Sequence, residues 1–381
     1  MIAHAPLHLA DFQISPRTGF LPELPVEKPA RTNQAWYHLA DDLPKLLPTG
    51  TVRQRIEALP AFVPDNTPPE PAMRMLSYLG HAYLWGDKTY VPDRLPRNLS
   101  DAWVQVARQV GRPPILSYPS YCLYNYRLID PAQPPYLENV QISQNFLGGV
   151  DEDWFILIHV DIEARAAQAI RAVPGLLEAA AQHNGQAVRQ GLGEVLESLR
   201  RMNATLNRMP EYCDPYIYYT RVRPYIFGTK NNPALPQGLI YDGHYDNQPQ
   251  LFRGETGAQS AIVPTLDALL GVTHRNDPLK EYLLEMRSYM VPAHRQFVEY
   301  VEQNAQIRAV AAAGNNDALK SLYNECVEEL FRFRARHLEY AASYIHKQAQ
   351  QANNSNVVGT GGTPFMEYLA KHRDETKLAV C

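Results

Sequence analysis

Proline placement constrains this chain more than any other feature. Most of its 31 prolines fall before residue 136. Pro22, Pro25 and Pro29 mark an extended N-terminal arm, and Pro64, Pro68, Pro69 and Pro71 mark a loop. Pro92, Pro96, Pro113, Pro114, Pro119, Pro131, Pro134 and Pro135 keep interrupting the chain after it. Proline removes a backbone donor and drives the preceding residue away from helix. The first 140 residues are therefore expected to be short helices joined by coil.

Beyond residue 140 a helical period emerges. Asp151-Glu152-Asp153 places negative charge at a helix start, which the macrodipole favours. The helix is expected to run from Trp154 towards Val173 and to stop before Pro174. A second, from Gly185 to Met209, carries Val188, Leu192, Val195, Leu199, Met202 and Leu206 on one stripe. Asp277-Pro278 opens a third through Met290, and Pro292 opens a fourth through Glu302. The longest is expected from Asp317 to about Gln350, after the cap candidates Asn315 and Asn316. Tyr216–Tyr219 and Leu239–Tyr241 are the strand candidates. The fold class is mainly α, with a small N-terminal α domain over 1–140 and a large all-helical domain over 141–381.

Net charge is −4 and no lysine or arginine run tracks phosphates, so nucleic acid and anionic membrane are poor partners. Cys122, Cys213, Cys326 and Cys381 are widely spaced, without a C-x-x-C pair. That argues against a cysteine zinc cluster, a c-type haem attachment and a disulfide framework. No signal peptide or membrane-length apolar run is evident, so a cytoplasmic globular protein is expected. There is no H-E-x-x-H motif and no G-x-S-x-G elbow. The glycine segments at 254–257 and 359–363 lack a Walker lysine.

Two histidines interrupt apolar helix faces. His159 lies in Trp154-Phe155-Ile156-Leu157-Ile158-His159-Val160. His337 lies on the stripe of Leu330, Phe333 and Ala341. A neutral imidazole on a rigid helix suits axial ligation of haem iron, and a second suits hydrogen bonding above it. The plain alternative for each is a core histidine satisfied by one partner. Arg334, three residues before His337, shares its face and could pair with a propionate or with Asp267, or simply be a surface guanidinium. The aromatic run around Tyr218, Tyr219, Arg221, Arg223 and Tyr225 suits a flat ring plus a carboxylate, or ordinary aromatic packing.

The chain resembles the indoleamine 2,3-dioxygenases over nearly its whole length. The resemblance is carried by Gly19-Phe20-Leu21-Pro22, Leu116-Ser117-Tyr118, Glu211-Tyr212-Cys213-Asp214-Pro215, Gly257-Ala258-Gln259-Ser260, Met286-Arg287-Ser288-Tyr289-Met290, Arg336-His337-Leu338 and Gly359-Thr360-Gly361-Gly362-Thr363. It implies haem b between the two domains, with His337 as proximal iron ligand and Arg334 and Asp267 as a nearby pair. It implies Arg223 on the substrate carboxylate. It implies a distal pocket of Tyr118, Tyr121, Cys122, Phe155, His159, Tyr218 and Tyr219, with loop residues Thr256, Gly257 and Thr360. The implied activity is cleavage of the indole C2–C3 bond of L-tryptophan by O2 to N-formylkynurenine, in a monomer. His159 replaces the serine of vertebrate members and resembles the distal histidine of bacterial haem tryptophan dioxygenases, so a bacterial-type member is expected. The usual Gly-Gly-Ser of the substrate loop reads Gly254-Glu255-Thr256. Glu255 could repel an acidic substrate group or recruit an ammonium, which leaves open another indole or modified tryptophan as substrate. A non-catalytic haem protein that binds O2 is the remaining alternative.

Overall fold

The computed structural model describes residues 7–24, 32–63, 68–87, 89–276, 278–313, 316–351, 359–360 and 365–381. The fold is mainly helical. Its strands are short pairs: Arg94–Leu95 parallel to Ile240–Tyr241, and Tyr126–Leu128 antiparallel to Val140–Ile142. Among the described residues no helix is long and apolar enough to cross a membrane.

Two helices in the proline-rich half exceed the short segments expected there. Pro69–Trp85 begins with prolines at its first turn, where a missing donor costs nothing. Arg97–Val110 likewise starts just after Pro96 and ends on Gly111 in the left-handed region. The prolines punctuate helix ends there rather than breaking helix interiors. The two helices approach so closely at Gly80 that a Cβ would enter the Trp103 ring.

The longest continuous helix is Val150–Ala181, and it passes through Pro174 instead of stopping before it. Interior proline costs about 3 kcal/mol. Here Val173, Leu176 and Leu177 around it are all buried, so packing outweighs the local penalty. Gly185–Leu206, capped by the Asn184 side chain on the Ala187 N–H, returns along it. The helix expected over 317–350 forms as Asp317–Ala341, a π turn at Ala342–His346, and Lys347–Gln351. Asn316 caps it, while Asn315 and the cap expected at Asp277 lie outside the described residues.

Tyr216–Tyr219 is not a strand. Asp214 accepts hydrogen bonds from the N–H groups of Tyr216 and Ile217 at 2.9 and 3.0 Å, with Pro215 at the first helical position. This N-cap overrides the aromatic β preference. The strand expected at Leu239–Tyr241 forms as Ile240–Tyr241.

Apolar side chains gather in two large cores. One includes Trp36, Leu79, Trp103 and Tyr121 together with Ile156, Val160, Ile226 and Leu239. The other includes Ile158, Ile162, Ile170, Leu192, Leu199, Phe297 and Leu330 together with Leu9, Ile14 and Phe20. Each core draws on residues from both sides of position 140. The 150–181 helix belongs to both, and Phe155 packs against both.

Candidate haem and substrate site

A cavity of about 720 Å³ opens between the 150–181 and 317–341 helices. Its volume falls in the usual range of ligand and cofactor sites, roughly 300–1,000 Å³. His159 and His337 both border it.

His337 is exposed, but the surface it shows faces the cavity. The surrounding protein still desolvates the ring and, with His159 and Arg334 adding to the effect, pushes its pKa down to about 4. The imidazole is thus neutral at pH 7 with a lone pair available. Among the described residues none hydrogen-bonds it. A desolvated, unpartnered imidazole facing a roomy cavity fits the axial ligand of a haem.

The 317–341 helix that carries His337 is clamped three residues earlier. Arg334 donates to both oxygens of Asp267 at 2.8 and 2.6 Å and to the Thr376 hydroxyl at 2.6 Å. His274 stands between Asp267 at 3.3 Å and Glu375 at 2.7 Å. Burial opposes ionisation of Asp267, yet Arg334 and His274 outweigh it and hold its pKa at about 2. Burial likewise works against charging His274, and its two carboxylates overcome that and raise its pKa. Asp267, Arg334, His274 and Glu375 come from four separate segments, one of them the C-terminal helix Phe365–Lys377.

Along the same cavity, aromatic rings follow one another. His159 lies 6.0 Å from Tyr118 and 4.6 Å from Phe155, Phe155 lies 4.8 Å from Tyr218, and Tyr218 lies 5.7 Å from Tyr344. His159 Nδ1 lies 2.7 Å from the Phe155 carbonyl oxygen. A carbonyl only accepts, so Nδ1 carries the proton. Burial lowers the His159 pKa and keeps the ring neutral. Nε2 is then left as an acceptor. Tyr118 and Ser260 donate to Glu163 Oε1 at 2.9 and 2.7 Å, and burial raises that carboxyl to about 7.

The structure gathers Tyr118, Phe155, His159, Tyr218, Thr256, Gly257, Thr360, Asp267, Arg334 and His337 around the cavity. Tyr121, Cys122, Tyr219 and Arg223 do not border it. Tyr121 packs on Phe155 at 6.3 Å, and burial pushes the Cys122 thiol well up. The buried Arg223 guanidinium lies 5.4 Å from the Tyr219 ring and 5.1 Å from Phe227. Residues 361–364 of the glycine segment lie outside the described residues. Sequence reasoning missed Glu163, Ser260, His274, Glu375 and Thr376. Glu163 was findable, since it follows His159 by one helical step on the same helix.

A model of the indoleamine 2,3-dioxygenase family matches residues 8–379. The chain belongs to the indoleamine 2,3-dioxygenase family. It is 34% identical to indoleamine 2,3-dioxygenase 1 of Rattus norvegicus, over 98% of this chain and 95% of that protein. Identity to indoleamine 2,3-dioxygenase 2 of Homo sapiens is 31%, over 97% of this chain and 95% of that one. Identity to the indoleamine 2,3-dioxygenase of Saccharomyces cerevisiae is 30%, over 97% and 92%. These relatives are mammalian and fungal, and the narrower expectation of a bacterial-type member is not borne out: one histidine at position 159 is too local a feature to place a chain within its family.

Proposed function

We propose that this protein holds haem b through His337 and adds both atoms of O2 across the indole C2–C3 bond of L-tryptophan, giving N-formylkynurenine. Membership of the family makes it a haem-dependent dioxygenase. The observation that carries the site assignment is the neutral, unbonded imidazole of His337 facing a cavity it shares with His159. Bound haem supplies the oxygen chemistry, and the protein supplies placement, exclusion of water and the axial ligand.

Each wall residue has a task in this reading. Tyr118, Phe155 and Tyr218 flank the flat indole. His159 Nε2 accepts from the indole N–H, which sets the ring edge and lowers the entropy cost of reaction. The Arg334–Asp267 clamp fixes the helix bearing His337. Thr256 accepts from the Ala258 N–H and shapes the loop ahead of Gly257. Tyr121, Cys122, Tyr219 and Arg223 form the layer behind the wall. The chain acts as a cytoplasmic monomer, in keeping with its buried thiols Cys122, Cys213 and Cys326. Sedimentation should give the mass of one chain.

The test is an absorption spectrum of protein reconstituted with hemin. The reduced form should shift its Soret band with CO and respond to L-tryptophan, and formylkynurenine should accumulate. His337→Ala should lose the imidazole-ligated spectrum and the activity. An unchanged spectrum in that variant would reject His337 as the ligand.

A further inference from the structure

The loop that lines the cavity from Glu255 to Ala258 brings an acidic side chain to its wall. Glu255 is 2% exposed and borders the cavity close to Tyr118 and Tyr218. Among the described residues, no donor meets its carboxyl oxygens. Its main chain, by contrast, is held tightly. The Glu255 N–H donates to the Ile226 carbonyl at 3.1 Å, and its own carbonyl accepts from the Thr360 hydroxyl at 2.5 Å. The backbones cross here at Gly228 and Gly254, where a Cβ on either would collide with the other strand of chain. The carboxyl therefore cannot swing out to solvent with its loop. Burying an unpaired carboxylate is costly, and a cation that arrives with a ligand recovers that cost.

We propose that Glu255 is the acceptor for the substrate's side-chain ammonium. The proposal rests on the dioxygenase reading and deepens it. Three observations favour an amine over an acid as the recognised group. Glu255 borders the cavity, whereas Arg223 does not. Four groups that feel Glu255 electrostatically, Tyr118, Tyr121, Cys122 and Tyr218, are all neutral when protonated. The second acid of this region, Glu163, accepts from Tyr118 and Ser260 through Oε1, and it does not border the cavity, whereas Glu255 does. Burial raises its pKa to about 8, and a bound ammonium would restore its charge.

The experiment measures binding by equilibrium dialysis to the haem-loaded protein, with three probes. Tryptamine has the amine alone, indole-3-propionate the acid alone, and 3-methylindole neither. Wild type should bind tryptamine at least tenfold more tightly than 3-methylindole. Glu255→Gln, which keeps shape but cannot ionise, should erase that preference, leave 3-methylindole within twofold, and tighten indole-3-propionate. An unfolding temperature no lower than wild type certifies the variant. Equal changes for tryptamine and 3-methylindole, or no change for either, would overturn the Glu255 assignment while leaving the dioxygenase reading in place. Failure of every indole to bind wild type would overturn both.

Discussion

At the scale of single residues, the proposed function rests on imidazoles and carboxyls whose ionisation is set by burial. His159 offers Nε2 as an acceptor because the Phe155 carbonyl commits Nδ1 as donor. If that acceptor guides the indole N–H during reaction, His159→Ala should lower kcat by about 10²-fold, at the low end of general acid–base effects. A loss below twofold, measured as formylkynurenine production at saturating tryptophan, would restrict the residue to packing. Arg223 gives a complementary prediction. Since its guanidinium lies behind the wall against Tyr219 and Phe227, Arg223→Ala should raise KM for tryptophan and tryptamine to the same degree. A rise confined to tryptophan would place the guanidinium on the carboxylate after all.

At the scale of elements, the clamp between the 317–341 helix and the C-terminal helix can be tested by stability. Removing one partner of a buried pair strands the other charge and costs roughly 3–5 kcal/mol. Asp267→Ala should therefore lower the unfolding free energy by about that much in urea denaturation. His274 adds a pH dependence. Its pKa is raised in the folded state, so its contribution is full below the ordinary histidine value and fades as pH rises through the folded one. The Tm gap between wild type and His274→Gln should be widest near pH 6 and narrow towards pH 9. Asp267, held near 2, stays ionised across that window. The same network shows what sequence can and cannot carry. His337, Arg334 and the helix under them were legible because one helical period orders them. Glu163 was overlooked although the same period places it after His159. His274, Glu375 and Thr376 had no spacing to announce them, because tertiary packing alone brings positions 267, 274, 334 and 375 together. Glu255 stood out in the sequence as a charge in a glycine loop, but its sense, towards amine or acid, needed the cavity wall. The short helices expected in the proline-rich half came from counting prolines without weighing that several sit at helix first turns.

At the scale of the molecule, close helix approach limits what the sequence can become. Gly80→Ala would force its methyl into Trp103. Overpacking of this kind costs roughly 1–3 kcal/mol, readable as a lowered Tm with haem content per folded molecule unchanged. The 150–181 helix has a broader consequence. It contributes side chains to both apolar cores, while Phe20 reaches into one and Leu239 into the other from across the chain. Severing the polypeptide at residue 140 would strip each fragment of partners it cannot replace from its own atoms. Neither half should then survive as an independent folding unit. Calorimetry of the intact apoprotein should trace one heat-absorption peak, in which the walls of the cavity and their supports melt together.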